Sequence, residues 1–170
     1  MPTYLLAEKN LHISRDAVLI DTNVLVAAFS PKEPTSRKDY AKYVLEEEYS
    51  LVLIPSVVVV EAWGLIVGRD NARSAGIKML TWLHETSRVL IVPSHQSSIE
   101  LVQQVADAFF VDCVDAILAE FATEITNLCG LKPWIPIVTY DSGDFTKMFL
   151  QPDLRFSIFD MNTLEPINRS

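Results

Sequence analysis

Acidic side chains recur in this chain at positions where a fold can gather them. Asp21 follows Ala17-Val18-Leu19-Ile20, and Glu61 follows Ser56-Val57-Val58-Val59-Val60. Asp115 stands one helical turn after Asp112, and Asp144 closely follows Asp141. Each alone has a plain alternative: Asp21, Asp112 and Asp144 as helix caps, Glu61 as a solvated helix residue, Asp141 as a turn former. Carboxylates brought within a few ångströms repel and raise at least one pKa unless a cation compensates. All-oxygen clusters suit Mg²⁺ or Mn²⁺, which take one or two carboxylates directly and reach others through water. No Ser-His-Asp or Cys-His arrangement competes, since His12, His84 and His95 are scattered.

Positioning these acids requires short strands and intervening helices. Val18-Leu19-Ile20, Leu51-Val52-Leu53-Ile54 and Val89-Leu90-Ile91-Val92 are aliphatic runs too short for helices and rich in β-branching, as expected of buried parallel strands. Ile135-Pro136-Ile137-Val138-Thr139 is a further strand with proline near its start, and Phe156 to Phe159 reads as a last edge strand. Helical patterns run from Asp21 to Phe29, from a Thr35 cap through Glu48, from a Ser56 cap to Val67, from Asn71 to Glu85, from Ser94 to Phe109 and from Val111 to Leu128. Gly130 ends the last of these. The spacing buries Val57 and Val60 in the valine helix that follows the second strand and makes Ile77, Leu80, Trp82 and Leu83 the apolar face of the next. The alternation predicts an α/β/α sandwich with a parallel sheet of about five short strands, residues 1–170 forming a single domain. Its carboxyl edge would collect Asp21, Asp141 and their neighbours. Residues 1–16 read as a lead-in, and the tail from Asn162 is polar.

Composition narrows the partners. With 49% hydrophobic residues in 170, the chain has material for a substantial core. A formal net charge of −8 argues against general electrostatic adhesion to nucleic acid, so a nucleic-acid substrate would need local neutralisation by a cation. Arg37, Lys38, Lys42, Arg69 and Arg73 are the basic residues placed to flank such a substrate, although a solvated face is the simpler reading of each. No membrane-length apolar run or signal-like N-terminus is visible, which places the expected location in the cytoplasm. Cys113 and Cys129 lack the spacing of a zinc site or disulfide framework and read as buried thiols. The five glycines form neither G-x-G-x-x-G nor a P-loop.

Val18-Leu19-Ile20-Asp21-Thr22-Asn23-Val24-Leu25, Pro55 to Glu61, Asp115-Ala116-Ile117-Leu118-Ala119-Glu120-Phe121-Ala122 and Ile137-Val138-Thr139-Tyr140-Asp141-Ser142-Gly143-Asp144-Phe145 resemble the successive motifs of PIN-domain ribonucleases. The resemblance spans 17–149. It implies an acidic pocket of Asp21, Glu61, Asp115 and Asp141, lined by Thr22, Asn23 and Thr139, that binds Mg²⁺ or Mn²⁺ and cleaves RNA. Two departures stand out. The family pattern T-x-D-x-D-F is lengthened here by Gly143, leaving Asp141 and Asp144 both eligible as metal ligands, and Asp112 competes with Asp115. Similarity to VapC-type toxins further implies a homodimer and a small antitoxin protein as partner. A different class of reading is an inert PIN scaffold that binds RNA or a protein without cutting. A receiver domain would want an acidic pair before its phosphoacceptor and a later strand-end Lys, and a phosphohydrolase would want D-x-D-x-T where Asp21-Thr22-Asn23 stands.

Overall fold

The computed structural model describes residues 17–93, 99–131 and 134–168. The expected lead-in, His12, His95 and the first residues of the helix expected from Ser94 lie outside the described residues. Six strands form one sheet: β1 (Ala17–Ile20), β2 (Leu51–Pro55), β3 (Val89–Val92), β4 (Pro136–Thr139), β5 (Ser157–Asp160) and β6 (Glu165–Ile167), in the order β3-β2-β1-β4-β5-β6. The first five run parallel, as expected of near-continuous aliphatic runs, and β6 adds an antiparallel edge. The Phe156 to Phe159 segment is therefore not the sheet's edge. Ser157, Ile158 and Asp160 are buried because Glu165-Pro166-Ile167 folds back outside them. Proline fits there, since an edge strand can spare one donor.

Helices α1 (Thr22–Phe29), α2 (Thr35–Tyr43), α3 (Ser56–Trp63) and α4 (Arg73–Glu85) pack on one another. A second group contains α5 (Ile99–Phe109), α6 (Cys113–Cys129) and α7 (Ser142–Met148). The two groups flank a core that includes all of β1, most of β2 and the middle of β4. Gly130 closes α6 in the left-handed conformation at φ 60°, as its position predicts. Two helices differ from the expected pattern in their ends. Thr35 and Ser56 are the first helical residues rather than caps; the cap positions are Pro34 and Pro55, and neither helix has a side-chain capping bond. Both helices then widen into π turns, Val44–Glu48 and Gly64–Arg69.

Burial on α3 and α4 also departs from the expected faces. Val58 and Ala62 are the fully buried residues of α3, whereas Val57 is partly exposed and Val60 is 70% exposed. On α4 the inward face is Gly76, Met79 and Leu83, with Ile77 and Leu80 exposed. Gly76 faces inward because α4 crosses close over the preceding segment; a Cβ there would come within 2.6 Å of Val67 Cγ2. Cys113 and Cys129 are both exposed rather than buried, because they begin and end α6.

Candidate functional site

The chain lays β1, β2 and β3 outward in one direction and then crosses to β4 on the other side of β1. The carboxyl ends of β1 and β4 therefore border the point where the winding reverses, the place in an open α/β sheet where loops diverge and leave a crevice. Asp21 leaves β1 there, and Thr139, Tyr140 and Asp141 leave β4. A cleft of about 390 Å³ opens at this edge. Asp21, Glu61, Asp115 and Asp141 all line it, together with Asp112 and Asp144.

Asp21 is 3% exposed and held on both oxygens. Its Oδ1 accepts the Thr22 amide at 2.6 Å, and its Oδ2 accepts Asn23 Nδ2 at 2.6 Å and the Thr139 hydroxyl at 2.7 Å. Burial nevertheless pushes its pKa up to about 6; the bonds from Thr139 and Thr22 oppose the rise, while Glu61 and Asp141 add to it. The capping alternative for Asp21 is thus real but incomplete, since the same carboxylate also lines the cleft. Thr22 turns its hydroxyl to Glu61, donating to Oε2 at 2.5 Å, so α1 positions the acid of α3.

Thr139 departs from its expected place. It is fully buried beneath the cleft rather than lining it, and its hydroxyl joins three neighbours. It donates to Asp21 and accepts Asn23 Nδ2 at 3.0 Å and the Asp141 amide at 2.8 Å. Asn23 completes the link by accepting the Tyr140 amide at 2.9 Å on its Oδ1. The β1 and β4 ends are thereby tied into one rigid edge, with Thr139 as a positioning residue.

The two competing pairs are distinguished by what else each acid does. Asp112 caps α6, accepting the Val114 amide at 2.8 Å, whereas Asp115 lies one turn further in. Burial raises the Asp115 pKa to about 8, with Asp21, Asp112, Asp144 and Asp141 adding charge repulsion. Asp144 is ion-paired to Lys147 on its own helix. Asp141 occupies the cap position of α7, yet its side chain makes no capping bond, and no ion pair among the described residues engages it.

The donor set fits a hard divalent cation. It is all oxygen, strongly acidic, and electrostatically unfavourable while its charges stand alone. Among the described residues, no three His, Cys, Asp or Glu side chains converge closely enough to cage an ion.

Two cations join the acids at this edge. Arg37 and Arg69 line the same cleft, whereas Lys38, Lys42 and Arg73 do not. The Arg37 guanidinium lies 3.9 Å from the Tyr140 ring centroid and pairs with Glu33 at 3.3 Å. Arg69 is braced by Asp70, a buried carboxylate whose pKa falls to about 2, chiefly through the bond from Arg69. The adjacent Arg-Asp pair at a helix end was the signal available in the sequence. His84, at the end of α4, takes no part in the cleft.

No curated protein sequence matches this chain significantly. Solved structures share its fold at low identity. VapC20 of Mycobacterium tuberculosis, a Sarcin-Ricin loop cleaving toxin, is 16% identical at TM-score 0.54, with 76% of this chain and 93% of that one covered. VapBC2 of Rickettsia felis, bound to a DNA fragment from its promoter, is 17% identical at TM-score 0.56, covering 85% and 99%. A toxin-antitoxin complex from Klebsiella pneumoniae is 18% identical at TM-score 0.51, covering 80% and 93%. The family model described as the PIN domain matches residues 18–147, and on that match the chain belongs to the PIN domain family.

Proposed function

We propose that this protein is a metal-dependent endoribonuclease that hydrolyses phosphodiester bonds of single-stranded or structured RNA, acting as the toxin of a toxin-antitoxin pair. The observation that carries this reading is the convergence of Asp21, Glu61, Asp115 and Asp141 on one cleft at the reversal of the sheet, with the pKa values of Asp21 and Asp115 both raised. Asp21, Glu61, Asp115 and Asp141 would hold one or two Mg²⁺ or Mn²⁺ ions, with Asp144 at the rim. When bound, the cation supplies Lewis-acid polarisation of the phosphate and acidification of water. Thr139 and Asn23 keep Asp21 in one orientation, and Thr22 does the same for Glu61. Asp141, without a capping bond and without an ion pair among the described residues, is the carboxylate available to orient the attacking water and take its proton. Similarity in fold to toxin-antitoxin complexes supports a small antitoxin as partner, and a homodimer and a cytoplasmic location belong to the same reading. No helix among the described residues is long and apolar enough to cross a membrane.

The second reading, an inert scaffold that binds RNA or protein, is favoured by one observation: among the described residues no three acids stand close enough to cage an ion unaided. One experiment separates the two. Wild type and the Asp21→Asn, Glu61→Gln, Asp115→Asn and Asp141→Asn variants are given labelled single-stranded RNA with Mg²⁺, Mn²⁺ or excess EDTA. Wild type should cleave only with a cation, and each variant should lose activity by orders of magnitude. Cleavage that persists in EDTA, or an Asp21→Asn variant of normal activity, would overturn the metal-dependent nuclease reading.

A further inference from the structure

A cation at the acidic floor offsets charge at the scissile phosphate, but an RNA strand brings flanking phosphates too. On a chain of net charge −8, those phosphates need fixed partners of their own. We propose that Arg37 and Arg69 form a two-point clamp that grips backbone phosphates of an RNA strand lying across the cleft. The proposal rests on the nuclease reading above and assigns the residues that hold its substrate.

Both guanidiniums line the cleft that contains the acids, and each is braced in a way that leaves donors over. The flat face of Arg37 rests on Tyr140, and the Tyr140 hydroxyl donates to the Arg37 carbonyl at 3.1 Å, so α2 is fastened to the loop after β4. Glu33 engages only the Nη1 end of the fork. The Nε is buried and has no hydrogen-bond partner among the described residues. An orphaned buried donor is costly, and a small shift of the fork toward an arriving phosphate would let Nε donate in the bidentate fashion a guanidinium is shaped for.

Arg69 is fixed differently. Its Nε and Nη2 donate to the two oxygens of Asp70 at 2.8 and 3.2 Å, leaving Nη1 outside that pair. Asp70 is itself anchored by the Ser30 hydroxyl at 2.6 Å and by the Lys32 ammonium at 3.7 Å. Two cations therefore share one carboxylate, and the cluster keeps positive charge while its geometry is set. Surface charges that only keep a protein soluble are not built this way. Lys42, exposed on the same helix as Arg37, has no comparable bracing among the described residues.

The test reads binding and turnover separately. Binding of a short labelled single-stranded RNA is measured by fluorescence anisotropy between about 50 and 200 mM salt in Mg²⁺, using the Asp21→Asn protein to prevent cleavage. Arg37→Gln, Arg69→Gln, Arg37→Lys and, as a control, Lys42→Ala are added to that background, and each is also made in the otherwise wild-type chain for kinetics. Each Gln substitution should weaken binding about tenfold and lower the salt slope by about 0.7, the value of one lost phosphate contact on a single strand. KM should rise by a similar factor, with kcat changed little. Arg37→Lys should keep the salt slope while losing part of the affinity, since it keeps the charge but not the fork. Lys42→Ala should change neither. Unchanged KM and salt slope in both Gln variants, with cleavage intact, would overturn the clamp and leave the nuclease reading standing. Loss of slope in the Gln variants of a protein that cleaves under no condition would support the clamp and sink the nuclease reading instead.

Discussion

Replacing Asp115 with Asn measures what the acidic floor costs the fold. The carboxyl's pKa rises from its ordinary 3.8 to about 8, first through burial and then through Asp21, Asp112, Asp144 and Asp141. Between those values the folded protein holds a proton that the unfolded chain has released. The folded state therefore binds more protons, and stability falls as pH rises from about 4 to about 8, then levels. At 1.36 kcal/mol per tenfold step the whole displacement would be about 6 kcal/mol. Solvent at this partly exposed group and sharing of protons with neighbouring acids bring the expected effect to about 2–3 kcal/mol. Asp115→Asn, with no charge to suppress, should match wild type near pH 4 and exceed it by that amount at pH 9. For a chain of this size the gain is about 5–10 °C in Tm. Thermal melts from pH 4 to 9 in EDTA provide the assay. Adding Mg²⁺ or Mn²⁺ at 100 times its Kd should raise wild type by about 2.7 kcal/mol and the variant by less. A gap of constant size across the pH range, or a wild type more stable than the variant at pH 9, would refute the reasoning, since either result means Asp115 is not held protonated by its neighbours.

Glu120 gives a related expectation outside the cleft. Its Oε1 is buried without a hydrogen-bond partner among the described residues, and burial, with Glu124 second, raises its pKa to about 7. Glu120→Gln should therefore stabilise by about 1 kcal/mol at pH 8, after allowance for solvent screening, and by less at pH 5; urea melts showing an equal gain at both would contradict this. Thr139→Val keeps the side chain's shape but removes the donor to Asp21 and the acceptor of Asn23 and Asp141. It should cost about 1–3 kcal/mol in urea melts. A loss below about 0.5 kcal/mol would show that the buried hydroxyl does not brace the edge.

The aliphatic runs announced their strands because nothing else explains short Val, Leu and Ile blocks bounded by Asp, Pro and polar residues. The acids after them became legible as a group once the runs were placed in one parallel sheet. Faces were harder. Four successive valines put an apolar side chain on every side of α3, so only packing selects Val58 over Val57 and Val60. On α4 the inward position is a glycine, which no hydrophobic pattern marks. Strand β6 was hidden because Glu165-Pro166-Ile167 is short, mostly exposed and carries a proline. Thr139 looked like cleft lining because sequence order places it beside Asp141; its depth follows from the strand pleat and from β4 lying against β1. The arginines were visible as charges, but their bracing depends on Tyr140 and Asp70, which reach them only through the fold.

The π turn that carries Arg69 makes the cleft sensitive to residue number as well as residue type. Successive residues in an α-helix are separated by about 100° around the axis, and the extra residue of a π turn lets the helix continue while everything beyond it is re-aimed. Arg69 is the last residue of such a turn, and Asp70 ends it with its amide donating to the Leu65 carbonyl. Gly68, within the turn, has open space where a side chain would be. Deleting that one glycine would remove no side-chain contact, yet a turn shortened to α geometry would rotate Arg69 and Asp70 away from Ser30 and the cleft. Among homologues, chain length between Trp63 and Ala72 therefore carries information that an alignment of residue types alone would pass over.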